Sequence, residues 1–243
     1  MNKPFLSIII PAFNEEHRLP KTLGEIFGFL QNQSYQSEVI VVDNGSTDKT
    51  YETALSFQRK DPNLVVLYEP LRGKGLAVRR GMLTARGEYR FMCDADLSMP
   101  IEEISHFLPP FGEAIDIAIA SREAPGAVRY HEPSYRHWGG RGINLLIRLL
   151  AIPGVHDTQC GFKMFSESAA LKIFPLQTLD NWSFDIEVLY IALKLGFDIK
   201  EVPISWYFNP ETKLSPLRDA LRMVIDIAII HLNGWRGVYD HKS

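Results

Sequence analysis

The sequence predicts an α/β fold in which helices cover both faces of a largely parallel sheet. Short Val- and Ile-rich runs, each followed by a helix-starting signal, are typical of strands that are buried on both faces. Segments with helical spacing alternate with these runs through the first half of the chain, which predicts a doubly wound sheet. At 243 residues and 46% hydrophobic content the chain can bury one substantial core, so we expect a single domain.

The first half of the chain supplies the regular part of this pattern. Strands are predicted at residues 5–10, 38–43, 64–68, 89–93 and 115–120. Helices are predicted between them at residues 19–30, 49–58, 76–84 and 101–108. Ligands of such sheets bind beyond the carboxyl ends of the strands. The expected binding site therefore consists of the segments that follow the strands: 11–15, 43–48, 70–74 and 94–98.

The second half departs from this alternation. Residues 123–134 contain two prolines, one glycine and mixed charge, a composition that predicts a mobile loop. The further predicted segments are a basic amphipathic stretch at 135–151, a turn at 152–157, a helix at 184–195, a strand at 199–206 and an amphipathic helix at 216–232.

Composition and charge exclude several classes of function. A net charge of −3 and a pI near 6.2, without a dense Lys/Arg face, argue against nucleic-acid binding. Cys93 and Cys160 fit neither a disulfide framework nor a metal cluster, which favours a reducing, cytoplasmic location. Residues 1–10 are too short for a signal peptide, and charged residues interrupt the most apolar stretch, at 221–232. We therefore expect no membrane span.

Asp94 and Asp96 follow a predicted buried strand and are candidate metal ligands. Alternate residues of an extended chain point the same way, so both carboxylates can face one ligand. Two hard oxygen donors suit Mg²⁺ or Mn²⁺, which would take its remaining ligands from water and from substrate phosphates. Such a metal would stabilise the charge on a departing nucleoside diphosphate. The alternative is that both aspartates only form a turn at the strand end, since short motifs also match by chance.

Residues 41–48, Val-Val-Asp-Asn-Gly-Ser-Thr-Asp, provide a second signal. Asp43 ends a predicted strand, where its carboxylate could accept a hydrogen bond from a base N–H and orient a nucleotide. Alternatively, the Asn-Gly pair turns the chain, and Ser46 or Thr47 caps the next helix with Asp48 in its first turn. We favour binding for Asp43 and the structural role for the residues that follow it.

Four motifs occur in an order that resembles family 2 glycosyltransferases of the GT-A fold: Pro11-Ala12-Phe13-Asn14-Glu15, Val42-Asp43-Asn44-Gly45-Ser46, Arg72-Gly73-Lys74-Gly75 and Asp94-Ala95-Asp96-Leu97-Ser98. The resemblance implies a nucleotide-activated sugar as donor. It implies these contacts: the nucleoside with Pro11, Phe13, Glu15 and Asp43, the donor with Lys74, the ribose or metal with Asp94, and the metal with Asp96. Asn44 departs from the family, in which many members have a second aspartate.

Later motifs narrow the resemblance to dolichyl-phosphate glucosyltransferases. They are Asp-Thr-Gln-Cys-Gly-Phe-Lys at 157–163, Trp-Ser-Phe-Asp-Ile-Glu at 182–187, and Trp206 near Lys213-Leu214. Members of that group move glucose from UDP-glucose to a polyprenyl phosphate and invert the anomeric centre. Related mannosyltransferases share the first half and use GDP-mannose, so a mannosyl donor remains an alternative. The resemblance implies that residues 1–121 bind the nucleotide sugar and that residues 122–243 bind the acceptor.

The nature of the acceptor decides which groups the reaction needs. A lipid monophosphate is largely dianionic at neutral pH, so it requires cations rather than a general base. By resemblance to the mannosyl relatives, Arg122 and Arg136 are the expected phosphate ligands, and Lys163 is a third candidate. Guanidinium groups suit phosphate oxygens. Arg141 and Arg148, in the basic stretch, either join this set or form a solvated helix face.

Asp185 has alternative roles that depend on the acceptor. A hydroxyl acceptor must lose a proton as it attacks, and Asp185 would then be the general base, as in hydroxyl-acceptor relatives of the family. With a lipid phosphate, Asp185 would instead orient the sugar. The structural alternative is an aspartate that only interacts with a helix N-terminus.

Two other classes of function compete with a glycosyltransferase. A nucleotidyltransferase also uses a sheet of this kind with acidic metal ligands, but it requires a glycine-rich basic loop where this chain has residues 11–15. A non-catalytic nucleotide-sugar binder is the other alternative, and the presence of both Asp94 and Asp96 argues against it.

Two amphipathic segments are candidates for contact with a bilayer. Apolar residues recur at helical spacing within 143–150, beside Arg141 and Arg148, and within 217–232. Helices with an apolar and a basic face lie in membrane interfaces. The alternative is that both segments pack on the sheet or form a dimer. We expect a peripheral association with the cytoplasmic face of a membrane, and the sequence leaves the oligomeric state open.

Overall fold

A computed structural model describes residues 3–109, 115–208 and 216–240, and the side chains of 134–140, 143 and 216–221 lie outside this description. Its strands are β1 (Leu6–Ala12), β2 (Ser37–Asp43), β3 (Leu64–Tyr68), β4 (Tyr89–Met92), β5 (Ile117–Ser121), β6 (Val128–Tyr130), β7 (Lys163–Ser166), β8 (Ile199–Pro203) and β9 (Ser205–Tyr207).

The helices are α1 (Leu19–Gln31), α2 (Thr50–Gln58), α3 (Lys74–Thr84), α4 (Ser134–Leu150), α5 (Glu167–Ile173), α6 (Phe184–Lys194) and α7 (Pro216–Trp235), with 3-10 helices at Ile101–Phe107 and Phe174–Leu176. Among the described residues, no helix combines the length and apolar character that crossing a bilayer requires.

A mixed seven-stranded sheet in the order β3-β2-β1-β4-β7-β5-β8 lies at the centre of the fold. β1 pairs in parallel with β2 and β4, β2 with β3, and β5 with β8. β7 lies antiparallel between β4 and β5. The predicted α/β architecture is confirmed, and the structure adds one antiparallel strand from the second half to the middle of the sheet.

The core lies in two layers, one on each face of this sheet. Along β1, Ile8 and Ile10 face one layer and Ile9 faces the other, as the alternation of side chains in a strand requires. Helix α1 covers the first layer, whereas α3, α5 and α6 cover the second. Because both faces are covered, the central strands contain continuous apolar runs, such as Ile8 to Ile10 on β1 and Val39 to Val42 on β2, and these runs predict the strands from the sequence. Cys93 and Cys160 are free and buried.

Three parts of the second half differ from the prediction. The expected loop at 123–134 contains β6, which pairs with β9 in a small parallel sheet. The expected strand at 199–206 is divided at Ile204 into β8 and β9, which belong to different sheets. β7 and α5 were not predicted, because β7 has four residues and begins with a lysine. Short strands that pair with distant segments carry little local signal.

We expect Gly81→Ala to destabilise the fold and Gly28→Ala to leave it unchanged or more stable. Both glycines lie inside helices, where alanine is favoured by up to about 1 kcal/mol. A Cβ at Gly81 would overlap the Ile9 side chain on β1, whereas a Cβ at Gly28 has no atom within 4 Å. Overpacking of this kind costs about 1 to 3 kcal/mol. Denaturant unfolding measures both variants, and equal stabilities would contradict the close packing of α3 on β1.

Candidate active site

The carboxyl ends of β1, β2 and β4 meet at one edge of the sheet, where the predicted donor residues lie. Asp43 ends β2 and is fully buried. Its Oδ2 accepts a hydrogen bond from the Ser46 N–H at 3.2 Å. Its Oδ1 has no hydrogen-bond partner within the described part of the chain. Buried polar atoms in proteins are normally paired, so this oxygen is available for a donor group of a ligand.

Asn14 fixes the loop after β1 to the loop after β2. Its N–H donates to Ser46 Oγ at 3.0 Å, and its Oδ1 accepts from the Thr47 N–H at 2.8 Å. Its φ of 54° lies in the left-handed region, which asparagine tolerates better than most residues. Ser46 and Thr47 are thus engaged with Asn14, and the predicted cap of α2 by either of them was wrong. Asp48, expected in the first turn, instead precedes α2, and its Oδ1 accepts from the Thr50 N–H at 2.9 Å.

The other residues predicted to contact the nucleoside lie on or directly after β1. Pro11 is half-buried within β1. The guanidinium of Arg72 lies 4.9 Å from the centre of the Phe13 ring, a cation–π contact that joins the first motif to the third. The Glu15 N–H donates to Thr50 Oγ1 at 2.7 Å, so the first motif is also tied to α2.

Asn44 holds the third motif against the second. Its Nδ2 donates to Leu71 O at 2.6 Å, and its Oδ1 accepts from the Gly73 N–H at 2.8 Å. The side chain of residue 44 both donates and accepts a hydrogen bond, as an amide can. An ionised aspartate could only accept, because it has no donor. This arrangement explains why asparagine occupies this position, and it supports the structural role expected for the residue.

Residues 177–182, from the second half of the chain, lie against the motif at 72–75. The Gly75 N–H donates to Asp180 O at 2.9 Å. A Cβ at Gly73 would overlap the same carbonyl oxygen, and Gly73 has a φ of 159°. Glycine therefore allows the backbones of the two halves to approach each other closely.

Glu187, fully buried on α6, holds this crossing segment in place. Its carboxylate accepts hydrogen bonds from the Thr178 N–H at 3.0 Å, the Leu179 N–H at 2.7 Å and the Tyr239 hydroxyl at 2.7 Å. A buried carboxylate needs such donors to offset its lost hydration. The sequence places Glu187 in an apolar helix but does not indicate these partners.

Lys74 begins α3 and joins several charged groups of the site. Its Nζ lies 2.7 Å from Asp94 Oδ1 and 4.7 Å from the centre of the Trp182 ring. Burial alone would lower the pKa of Lys74, but the nearby carboxylates, Asp94 first and Asp185 second, raise it above its ordinary value. Lys74 is therefore a permanent cation next to the predicted metal ligands.

Asp94 and Asp96 offer a donor set that fits a divalent cation. Burial, followed by the charge of Asp94, raises the pKa of the Asp96 carboxyl. A cation would relieve both effects, because it replaces lost hydration and neutralises the paired charges. The described residues hold no group of three or more His, Cys, Asp or Glu side chains suited to a metal. Mg²⁺ that retains water and substrate phosphates needs only one or two carboxylates, so the pair suffices.

The motif at 157–163 forms the floor beneath Asp94. A Cβ at Gly161 would overlap the Asp94 carboxylate, so only glycine leaves room for that side chain in its observed position. Cys160 O accepts a hydrogen bond from Lys163 Nζ at 2.6 Å. The motif that points to the acceptor in the sequence thus also shapes the donor side of the site.

Lys163 and Asp185 form a buried ion pair next to this floor. Lys163 Nζ lies 2.6 Å from Asp185 Oδ1, and the two side chains are 1% and 3% exposed. Burial raises the pKa of Asp185, and the charges of Lys163 and Lys74 oppose that shift only in part. Because Lys163 points into the protein, its position does not match the predicted contact with an acceptor phosphate.

Arg122 also has an internal partner. Its Nε and Nη2 donate to the two Asp157 oxygens at 2.7 and 2.9 Å, and its guanidinium lies 5.2 Å from the Trp206 ring centre. Burial would raise the pKa of Asp157, but the charge and hydrogen bonds of Arg122 hold it at about 2. The Arg136 side chain and residues 209–215, which include Lys213, lie outside the described residues.

The structure therefore brings the third and fourth motifs together with the later motifs at 157–163 and 182–187, through contacts of Asp94 and Lys74. Sequence reasoning missed the specific contacts of Trp182, Gly161 and Asp157. The only available signal was that these residues belong to the later motifs. A motif indicates that a residue matters, but it does not indicate its partner.

A comparison with protein families identifies the chain. The family model described as "Glycosyl transferase family 2" matches residues 7–174, which extend from the second residue of β1 through α5. The chain belongs to glycosyltransferase family 2. The match covers the edge of the sheet where Asp43, Asp94 and Asp96 lie.

Curated relatives align with nearly the whole of this glycosyltransferase. The dolichyl-phosphate beta-glucosyltransferase of Dictyostelium discoideum is 34% identical over 98% of this chain and 77% of its own length. The protein of that name from Mus musculus is 35% identical over 98% of this chain and 78% of its own length. The one from Drosophila melanogaster is 36% identical over 93% of this chain and 74% of its own length. Alignments of this extent include the motifs of the second half.

Solved structures of glucosyl-3-phosphoglycerate synthase from Mycobacterium tuberculosis share the fold of this glycosyltransferase. Its complex with Mn²⁺, UDP-glucose and phosphoglyceric acid matches with a TM-score of 0.67 and 19% identity, covering 93% of this chain and 79% of that one. Its complex with UDP matches with a TM-score of 0.64 and 21% identity, covering 95% of this chain and 79% of that one. The predicted GT-A fold is thereby confirmed.

We expect Asp157→Asn to destabilise the enzyme at neutral pH and to flatten its acid dependence. The folded-state pKa of about 2 lies below the ordinary aspartate value near 3.9, so the pairing of Asp157 contributes about 2 to 3 kcal/mol above that value. This contribution is lost as the pH falls toward the folded-state pKa. The difference in free energy of unfolding between wild type and variant should therefore be largest at neutral pH and shrink near pH 2.

Denaturant unfolding across that pH range measures the difference. Asp198→Asn, at an exposed position, is the matched control and should follow the wild type. A destabilisation that stays constant down to pH 2 would contradict the assignment of the pKa shift to Asp157.

Proposed function

We propose that this glycosyltransferase moves glucose from UDP-glucose to the phosphate of a dolichyl or other polyprenyl phosphate, with inversion at the anomeric carbon. The observation that carries the proposal is the similarity, over nearly the whole chain, to relatives named dolichyl-phosphate beta-glucosyltransferase. The geometry of the site supports it on the donor side and on the acceptor side.

The donor would bind along the carboxyl ends of β1, β2 and β4. The unpartnered Oδ1 of Asp43 would accept from the N–H of the uracil ring, which orients the nucleoside. The Phe13 ring with Arg72 above it supplies an aromatic and cationic wall on the same side. Pro11 and Glu15 complete the proposed nucleoside pocket.

Asp94 and Asp96 would hold Mg²⁺ or Mn²⁺, with the other ligands coming from donor phosphates and water. When bound, the metal would act as a Lewis acid toward the diphosphate leaving group. Lys74, 2.7 Å from Asp94, adds a second cation at the place where the leaving group gains charge. Preorganised cations at such a position stabilise the transition state.

The surroundings of Asp185 favour a phosphate acceptor over a hydroxyl. A general base must reach the proton that it removes. Asp185 is buried and in contact with the Lys163 ammonium, an arrangement that suits a fixed anion better than a base. A lipid phosphate is already ionised and requires no base. We therefore assign Asp185 and Lys163 to holding the floor of the site.

Acceptor phosphate would meet Arg122 and Arg136. Arg122 keeps about a fifth of its side chain exposed while Asp157 fixes its orientation, and a fixed guanidinium suits phosphate oxygens. We retain the division into a donor half, 1–121, and an acceptor half, 122–243, with one amendment. Trp182 and Gly161, from the second half, also border the donor side. The buried free thiols support a reducing, cytoplasmic setting.

The decisive test is transfer of radiolabel from UDP-glucose, and separately from GDP-mannose, into an organic-extractable polyprenyl phosphate fraction with Mg²⁺ or Mn²⁺. We expect label from UDP-glucose. Label from GDP-mannose alone would assign the mannosyl alternative. Absence of lipid label from both donors, despite UDP binding, would point to a hydroxyl acceptor. Pyrophosphate release from UTP would indicate a nucleotidyltransferase. Asp96→Asn and removal of the divalent metal ion by a chelator should each abolish transfer.

Gly161→Ala should reduce transfer by about 10- to 100-fold, because the added methyl group displaces Asp94 from its position beside Lys74. Small displacements of groups that orient the reactants commonly cost this much. Gly24→Ala, at a glycine with no atom within 4 Å of the added Cβ, is the matched control. Initial rates and thermal melts distinguish a misplaced carboxylate from a misfolded protein. Full activity in a folded Gly161→Ala would contradict the role of the floor.

Asp185→Asn should lower the turnover number by less than the loss of a general base would, and it should leave the shape of the pH–rate profile unchanged. Loss of a true general base would cost about 100- to 10,000-fold and would alter the pH–rate profile. The double variant Lys163→Met, Asp185→Leu removes the pair without leaving a buried charge, and it controls for the unpaired lysine. Kinetics against pH provide the measurement. A profile that loses its acidic limb in Asp185→Asn would support the hydroxyl acceptor instead.

A further inference from the structure

Helix α7 presents apolar side chains to solvent as well as to the core. The exposed apolar residues are Val224, Ile225, Ile229, Leu232 and Trp235. Ile225, Ile229, Leu232 and Trp235 recur at intervals of three and four and Val224 adjoins them, so all five lie on one side of the helix. On the opposite side Met223, Ile227 and Ile230 pack in the core, and Asp226 is buried and accepts from Ser183 Oγ at 2.6 Å. A surface helix normally has polar side chains on its outer side.

Helix α4 extends this apolar surface. Leu145, Leu149 and Leu150 are exposed, and Leu149 is 73% exposed. His231 Nε2 on α7 lies 2.5 Å from Leu150 O, so the two helices touch beside these leucines. We call the exposed apolar residues of both helices the α4–α7 face: Leu145, Leu149, Leu150, Val224, Ile225, Ile229, Leu232 and Trp235.

Arginines flank the α4–α7 face. Arg141 and Arg148 lie on α4, Arg222 lies on α7, and Arg236 directly follows α7. Among the described side chains of residues 141–150 and 222–236, the one acid is the buried Asp226. The face is therefore basic, although the whole chain has a net charge of −3.

Two contacts connect the α4–α7 face to the site. Asp226 accepts from Ser183, which begins the turn into α6. Arg141 Nε lies 3.7 Å from Glu123 Oε2, and Glu123 directly follows Arg122. The face and the proposed acceptor-phosphate ligand Arg122 are thus parts of one structural unit.

We propose that the α4–α7 face docks on the surface of an anionic lipid bilayer, with its apolar side chains between the headgroups and its arginines against lipid phosphates. The proposal rests on the proposed function, since the acceptor would be a lipid of that bilayer. Helices with an apolar face bordered by arginine lie in membrane interfaces. Arginine stems also bury along apolar surface while the charge stays at the phosphates.

A second copy of the chain is the competing occupant of the face. In a two-fold dimer each copy contributes the same patch, so the flanking arginines of both copies would approach each other. Like charges at such distances oppose association. An anionic bilayer offers charge of the opposite sign, and the charge pattern therefore favours the bilayer.

The test is sedimentation of the purified full chain with vesicles, in the absence of nucleotide and acceptor. Binding to phosphatidylcholine vesicles that contain phosphatidylglycerol should exceed binding to phosphatidylcholine alone and weaken with salt. Ile225→Glu with Ile229→Glu should lower binding by more than about tenfold, and Arg222→Gln or Arg236→Gln by about fivefold each. Leu171→Glu, at a 49% exposed leucine on α5, is the matched control and should bind like the wild type.

Trp235 gives a second readout that does not depend on a charge placed in the face. Lipids brominated near the headgroup should quench the fluorescence of the wild type on binding, because Trp235 is 83% exposed within the face. The conservative variant Trp235→Phe should bind the same vesicles but lose most of that quenching. Equal quenching in both proteins would overturn insertion at this face.

The outcomes separate this proposal from the proposed function. Unchanged vesicle binding in folded Ile225→Glu, Ile229→Glu would overturn the docking surface, even if transfer to a detergent-dispersed acceptor is intact. A wild-type dimer in sedimentation velocity that this variant dissolves would assign the face to a second copy. Vesicle binding that responds as expected, without any glucosyl transfer, would retain the surface and overturn the function.

Discussion

The position of Asp94 is the constraint on which the site depends. This carboxylate ends the central strand region, contacts the Lys74 ammonium and rests on Gly161, where any side chain would overlap it. Directly before Lys74, Gly73 lets the backbone of residues 177–182 approach the start of α3. Each of these contacts fixes the others, so the carboxylate pair is held before a metal or donor arrives. Such preorganisation is how a protein stabilises charge that develops during a reaction.

Buried ion pairs in the second half supply the rigidity behind that edge of the sheet. Arg122 with Asp157 and Lys163 with Asp185 remove charges from water, which costs free energy that good geometry must offset. Replacing buried ion pairs with well-packed apolar residues is often neutral or stabilising. Their presence is better explained by orientation: one pair fixes a guanidinium with part of its side chain still exposed, and the other holds a carboxylate next to Lys74. The second half is therefore a scaffold for the first as well as an acceptor region.

The exposed surface of α7 is explained by how this helix packs, and not by the contacts of the site. On α7 the inward side packs Met223, Ile227 and Ile230 in the core and pairs Asp226 with Ser183, and the outward side is also largely apolar. The same hydrophobic period in the sequence is compatible with a helix that packs inward or outward. The sequence therefore indicated an amphipathic helix, and only the tertiary structure decided which of its apolar residues pack in the core and which face solvent.

The sequence by itself determined the strands and helices of the first half, the order of the motifs, and the carboxylates at Asp43, Asp94 and Asp96. These features are readable because hydrophobic period and strand-end position are local properties. Tertiary structure alone decided the antiparallel β7, the pairing of β6 with β9, and the partners of Asn44, Lys163 and Asp185. Such contacts join residues distant in the chain, and whether a charged or polar group is buried against a partner depends on the packing of the whole fold.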